Sequence, residues 1–180
     1  MPTEDNLEVF CSRSFTRAPR LIVADESAAV RRLVKAAVGG RFVDVIEAGD
    51  GRAFWWSLVR AWYDEPFDPP NMVVLSDVLL PVYDGIDVLE AWREVEPHVP
   101  LVVTASYPDG ETLARIAGLG GRLLFKPFSV ASLRRAVADV LDAAESAGRP
   151  AGTAGRRPRG EPIPSRTPEA WRLQSVPGGR

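Results

Sequence analysis

Residues 73–85 read Val-Val-Leu-Ser-Asp-Val-Leu-Leu-Pro-Val-Tyr-Asp-Gly. An apolar run stops on a carboxylate, Asp77, and a turn built from Pro81, Asp84 and Gly85 precedes the return of helical periodicity, so Asp77 stands at the carboxyl end of a strand. In open α/β sheets that rim is where ligands bind. A strand leaving the core more often ends on Ser, Gly or Asn, so the Asp alone is only suggestive. Three other apolar runs, however, also end on polar groups: Val23-Ala24-Asp25-Glu26, Val103-Thr104-Ala105 and Phe125-Lys126-Pro127. Carboxylates, a hydroxyl and an ammonium are what phosphoryl transfer to a carboxylate requires.

The same alternation runs outward in both directions. Leu21–Ala24 predicts a first strand. Ser27 is a good N-cap, and Val30, Leu33, Val34, Ala37 and Val38 keep helical spacing until Gly39-Gly40. Phe42 to Ala48 predicts an edge strand, turned by Gly49-Asp50-Gly51. A helix over Arg52 to Tyr63 turns Trp55, Leu58, Val59 and Trp62 to the core. Trp56, Arg60 and Tyr63 fall on another side, either as a partner surface or packed under the loop of residues 64–70. Met72–Ser76 is the third strand, followed by a helix from Gly85 to Glu96 with Ile86, Leu89 and Trp92 or Arg93 in one stripe, stopped by Pro97. Leu101–Thr104, a helix over Asp109 to Ala117, Leu123–Phe125 and a helix from Ser129 to about Ala144 complete five strand-helix pairs. Such regular alternation argues a parallel sheet covered on both faces.

With 180 residues, 46% of them hydrophobic, the chain holds one full core and not two. Its net charge of -2 divides as -1 over residues 1–19, -6 over 20–145 and +5 over 146–180. An acidic folded part argues against a nucleic-acid surface. The single cysteine, Cys11, excludes an internal disulfide and fits a reducing compartment. No apolar run approaches the roughly 18 residues of a membrane span, and the acidic N-terminus is unlike a signal peptide, so a cytoplasmic protein without membrane attachment is expected. Residues 1–19 read as a flexible leader. Residues 146–180, about a third Pro and Gly, read as a disordered tail that includes Trp171 and Leu173. The lone histidine, His98, lies among prolines in a loop and leaves no room for an internal histidine-kinase motif.

Asp25-Glu26, Asp77 with Pro81 and Asp84-Gly85, Thr104-Ala105 and Lys126-Pro127-Phe128 together resemble the receiver (response-regulator) domain of bacterial two-component phosphorelay systems, in its stand-alone single-domain form, over residues 20–145. The resemblance implies a flavodoxin-like (βα)5 doubly wound parallel sheet of strand order 2-1-3-4-5. It also implies a Mg2+ ion bound directly by Glu26 and Asp77, largely through water by Asp25, and by the backbone carbonyl of Leu79. Converging carboxylates repel one another, and a hard cation that prefers about six oxygens relieves that cost. Glu26 is one methylene longer than the Asp more usual in the family.

By the same resemblance Asp77 is the phosphoacceptor, taking its phosphoryl group from a sensor histidine kinase or a histidine phosphotransfer protein. Lys126 offsets charge, while the Thr104 hydroxyl and the Ala105 N–H bind phosphate oxygens. The Lys126–Pro127 peptide is expected to be cis. The output is contact with a downstream protein, so the chain reads as a signalling phosphoacceptor and not as a turnover enzyme. Leu123 stands where family members commonly carry Tyr or Phe. Without a ring to exchange between solvent and interior, phosphorylation is expected to move the Thr104 loop and the 109–117 helix only modestly, leaving recognition to a surface already apolar, with Trp56, Arg60 and Tyr63 as the candidate.

Two other readings compete. A degenerate receiver would bind partners without phosphorylation, and the intact Asp77, Thr104 and Lys126 weigh against it. A haloacid-dehalogenase-type phosphatase would need a second Asp two residues after the nucleophile, where Leu79 stands. The composition of the tail also leaves too little apolar surface to offset an ordering entropy of about 1–2 kcal/mol per residue. Truncation after Glu145 is therefore expected to leave the thermal midpoint almost unmoved in a melting experiment.

Overall fold

The computed structural model describes residues 19–42, 44–64 and 72–146. The leader as far as residue 18, residues 65–71 and the tail from residue 147 lie outside the described residues, whereas Pro19 is described and buried and Ser146 belongs to the last helix. Apolar residues alternate along each strand, and the alternation splits the interior into two layers. Five parallel strands carry it: β1 (Arg20–Ala24), β2 (Asp44–Ala48), β3 (Met72–Asp77), β4 (Leu101–Ala105) and β5 (Arg122–Phe125). They lie in the order β2-β1-β3-β4-β5, the doubly wound arrangement expected from the sequence. Leu21, Val23, Val73, Leu75, Val102 and Leu124 face one layer, covered by α1 (Ala28–Val38) and α5 (Val130–Ser146). Ile22, Ala24, Val74, Leu101 and Val103 face the other, covered by α2 (Gly51–Asp64) and α3 (Gly85–Val95), with Ile116 of α4 (Gly110–Gly118) at its margin.

Most helix starts follow from short polar side chains. Ser27 accepts from the Val30 N–H, Asp50 from Ala53, Asp109 from Thr112 and Ser129 from Ser132, each satisfying a backbone donor of a first turn. The β2 boundary departs from the sequence reading. Gly39–Arg41 form a 3-10 turn after α1, the Phe42 N–H closes back on the Gly39 carbonyl, and the Phe42 ring drops into the α1/α5 layer, so β2 starts only at Asp44. α5 runs to Ser146, two residues past its expected end.

On α2, Trp55 and Leu58 are buried and Val59 and Trp62 half-buried, as the periodicity requires, while Trp56, Arg60 and Tyr63 are exposed. The loop under which these three could have packed is outside the described residues. Trp92 of α3 is fully buried, with its ring edge-on to Trp55 and to Trp62 at 5.9 Å in each case. Contacts of this kind contribute about 0.5–1.5 kcal/mol each beyond burial. The short α4 is held differently. Of its own residues only Ile116 is fully buried, and Arg115 reaches across to α3, donating to Asp87 at 2.6 Å and to Glu90 at 2.8 and 2.7 Å.

The β3–α3 connection is pinned at both ends. The Gly51 N–H donates to the Pro81 carbonyl at 2.9 Å, and a Cβ on Gly51 would lie 2.0 Å from the Tyr83 carbonyl oxygen. A Cβ on Gly85 would lie 1.9 Å from the Asp77 carbonyl oxygen. Between these two contacts Val82 takes φ 74° and is exposed. Left-handed backbone costs an L-residue about 1–2 kcal/mol, and a β-branched one is least suited to it. Val82→Asn, a residue that tolerates this region, is expected to raise stability by about 1 kcal/mol in urea denaturation.

Candidate functional site

Strand register assembles the site. β1 pairs Ala24 with Ser76 of β3, so the next residues, Asp25 and Asp77, come level. β3 pairs Asp77 with Thr104, and β4 pairs Ala105 with Phe125, which puts Lys126 one residue beyond the sheet at the same rim. The Lys126 N–H donates to the Ala105 carbonyl at 2.8 Å and the Val78 N–H to the Thr104 carbonyl at 3.0 Å, tying the loops to neighbouring strands. The Lys126–Pro127 peptide is cis, as the resemblance implies. From this position the Lys126 ammonium donates to Asp25 Oδ2 at 2.6 Å and, at very close range, to Asp77 Oδ2. Asp25 is fully buried and also accepts from the Ser27 N–H at 2.8 Å. Thr104 is fully buried as well, yet its Oγ1 has no hydrogen-bond partner among the described residues.

The chain has recognisable relatives. A probable transcriptional regulator, ycf27, of Porphyridium aerugineum is 30% identical over 125 residues, which is 68% of this chain and 48% of that protein. The chemotaxis protein CheY of Halobacterium salinarum is 28% identical over 130 residues, 70% of this chain and 99% of that one. The crystal structure of a CheY-like response-regulator receiver domain protein from Methanospirillum hungatei shares the fold, with a TM-score of 0.62 at 20% identity over 72% of this chain and 98% of that one. The chain carries a response-regulator receiver domain. No family model matches it. The chain spans about half the length of the transcriptional regulators it matches.

In this receiver domain the two aspartates and the lysine are out of bulk water, with side-chain exposures of 1% for Asp25, 13% for Asp77 and 17% for Lys126. Burial pushes the Asp77 carboxyl above its ordinary range. Lys126 and the Leu79 N–H pull it back without cancelling the shift, and the Asp25 charge adds to the rise. Burial works against the Lys126 ammonium as well, but hydrogen bonds to Asp25 and Asp77 outweigh it, so its pKa is raised and the group stays charged.

The remaining expected residues divide. Asp25, Asp77, Thr104 and Lys126 converge. Glu26, next in the chain, is exposed, and its carboxylate takes neither a hydrogen bond nor an ion pair among the described residues. No group of three or more Asp, Glu, His or Cys side chains close enough to share an ion occurs among the described residues. Two converging carboxylates still form a hard oxygen donor set, which suits a cation that keeps several waters and suits no soft metal. Leu79, whose carbonyl the resemblance assigns to the ion, is exposed, and Leu123 is half-buried against the α2/α3 layer.

Sequence reasoning missed Arg31 of α1, whose guanidinium reaches the Asp25 and Glu26 carbonyls. An arginine on an amphipathic helix gives no signal that separates such a contact from a solvated face. It also missed Ser76, which donates to the Asp77 carbonyl at 2.9 Å.

A folded-state pKa above the unfolded one means that the Asp77 proton is held more tightly in the folded protein. Stability from this group therefore falls as pH rises from about 3.9 through the raised value, and it stays lower above that window. In chelator, Asp77→Asn is expected to lack this decline. Thermal melts across the acid to neutral range should then show a midpoint difference in favour of Asp77→Asn that grows with pH.

Proposed function

We propose that the receiver domain accepts a phosphoryl group on Asp77 from the phosphohistidine of a cytoplasmic partner, a sensor histidine kinase or a histidine phosphotransfer protein, and signals by contact with a downstream protein. The observation that carries this reading is the Lys126 ammonium between the Asp25 and Asp77 carboxylates beside a buried Thr104 hydroxyl that has no hydrogen-bond partner among the described residues. An unpaired buried hydroxyl costs about 1–3 kcal/mol, which a structural role alone does not explain.

In the proposed step an Asp77 carboxylate oxygen attacks phosphorus in line with the donor's P–N bond, that bond breaks, and its electron pair leaves with the imidazole nitrogen. The new P–O bond makes an acyl phosphate. The raised Asp77 pKa suits attack, because a desolvated carboxylate is a better nucleophile than a hydrated one. Lys126 remains protonated through the step and offsets charge on the phosphoryl oxygens. The Thr104 hydroxyl donates to one of those oxygens and gains the partner it lacks, while the Ala105 N–H serves another. Asp25 and Asp77, with the Leu79 carbonyl and water, would hold Mg2+, whose chemistry when bound is to neutralise negative charge on the transferring group. Glu26 is proposed as a further ligand. The phosphorylation-independent reading is not favoured, since it gives the desolvated Asp77 and the unpaired Thr104 no task.

Incubation of the full chain with Mg2+ and phosphoramidate is expected to add one phosphate by intact mass. Asp77→Asn, or chelator, should abolish the addition, and Thr104→Val should lower its rate by about 10²-fold, the scale of losing one charge-stabilising donor. Unchanged labelling of Asp77→Asn would sink the proposal.

A further inference from the structure

Arg31 joins three elements at the acidic rim. It projects from α1, its Nη1 donates to the Asp25 carbonyl at 2.6 Å and to the Glu26 carbonyl at 3.2 Å, and its Nε lies 3.4 Å from Glu47 Oε2 on β2 without a hydrogen-bond partner. The side chain is 17% exposed. The choice of partners is unusual for a guanidinium beside several acids. It leaves the Asp25 carboxylate to Lys126 and the Ser27 N–H, leaves the Glu26 carboxylate unpaired among the described residues, and takes the backbone of both residues instead. The Asp25 N–H continues the β1–β2 ladder by donating to the Ala48 carbonyl at 3.1 Å, and the carbonyls of Asp25 and Glu26 accept from Arg31.

We propose that Arg31 is a positioning residue for cation binding: by holding the Asp25 and Glu26 carbonyls from α1, it fixes the acidic strand end in the arrangement that takes a hard divalent ion. This rests on the Mg2+ reading of the same site. Fixing two consecutive carbonyls fixes the backbone between them, and so the direction in which each carboxylate leaves the chain. The charge of Arg31 acts in the opposite sense, because a cation near the site repels an incoming divalent ion. Positioning and bystander charge therefore give opposite signs when Arg31 is replaced.

The test is titration of the full chain with MgCl2, followed by the amide resonances of residues 25, 26 and 77, for the natural protein, Arg31→Met and Arg31→Lys. Near-ultraviolet circular dichroism of the edge-on cluster of Trp55, Trp62 and Trp92 monitors the fold far from the substitution. The expected result is a Kd for Mg2+ roughly tenfold weaker in Arg31→Met, the usual scale for an outer-shell partner, with part of the loss recovered by Arg31→Lys. Binding by Arg31→Met as tight as in the natural protein, or tighter, would make Arg31 a bystander and overturn the proposal. If Arg31→Met does not fold, Arg31→Lys decides: weaker binding supports the proposal and unchanged binding overturns it. Failure of the natural protein itself to bind Mg2+ would remove the cation reading and this inference together, an outcome distinct from normal binding by all three proteins.

Discussion

Two carboxylates share one ammonium at the rim of this sheet, and the surrounding structure sets how they meet. Asp25 and Asp77 on adjacent strands carry two negative charges against the single positive charge of Lys126, in a place where burial disfavours all three. The arrangement persists because β1, β3, β4 and β5 keep a common register, and because Gly51 and Gly85 let the β3–α3 connection close against its neighbours. The rim remains one positive charge short, and the proposed cation and phosphoryl chemistry both follow from that shortage.

Much of this was legible in the sequence, for a physical reason. Strands buried on both faces read as apolar runs, so a run that ends on Asp25, Asp77, Thr104 or Lys126 marks a strand end and a site at once. Ser27 announced its helix because capping is local chemistry between residues three apart. What depended on tertiary placement was not legible. Phe42 has the pattern of a strand residue, but a 3-10 turn spends it on the α1/α5 layer instead. Neither the unpaired Thr104 hydroxyl nor the Arg31 contacts have any sequence signature, since both depend on which groups a neighbouring element leaves unsatisfied. The exposure of Glu26 likewise has no sequence signature, because it lies in a bend just beyond the end of β1.

The transcriptional regulators that resemble this chain match it over somewhat less than half of their own length, whereas CheY of Halobacterium salinarum matches over nearly all of its length. The shared part is the receiver domain, and function in such folds resides in the site and not in the fold alone. In this chain Leu123 is half-buried against the α2/α3 layer, and the short α4 stands apart in how it is held.

That helix is attached by little packing and by one group of ion pairs. With Ile116 as its one fully buried residue and Arg115 gripping Asp87 and Glu90 across the surface, α4 draws part of its attachment from an interaction that dissolved ions weaken. The β-sheet and the tryptophan-lined α2/α3 layer have no such dependence. The molecule therefore combines a stiff frame with one lightly tethered helix, and the ionic strength of its surroundings sets how tightly that helix is tethered.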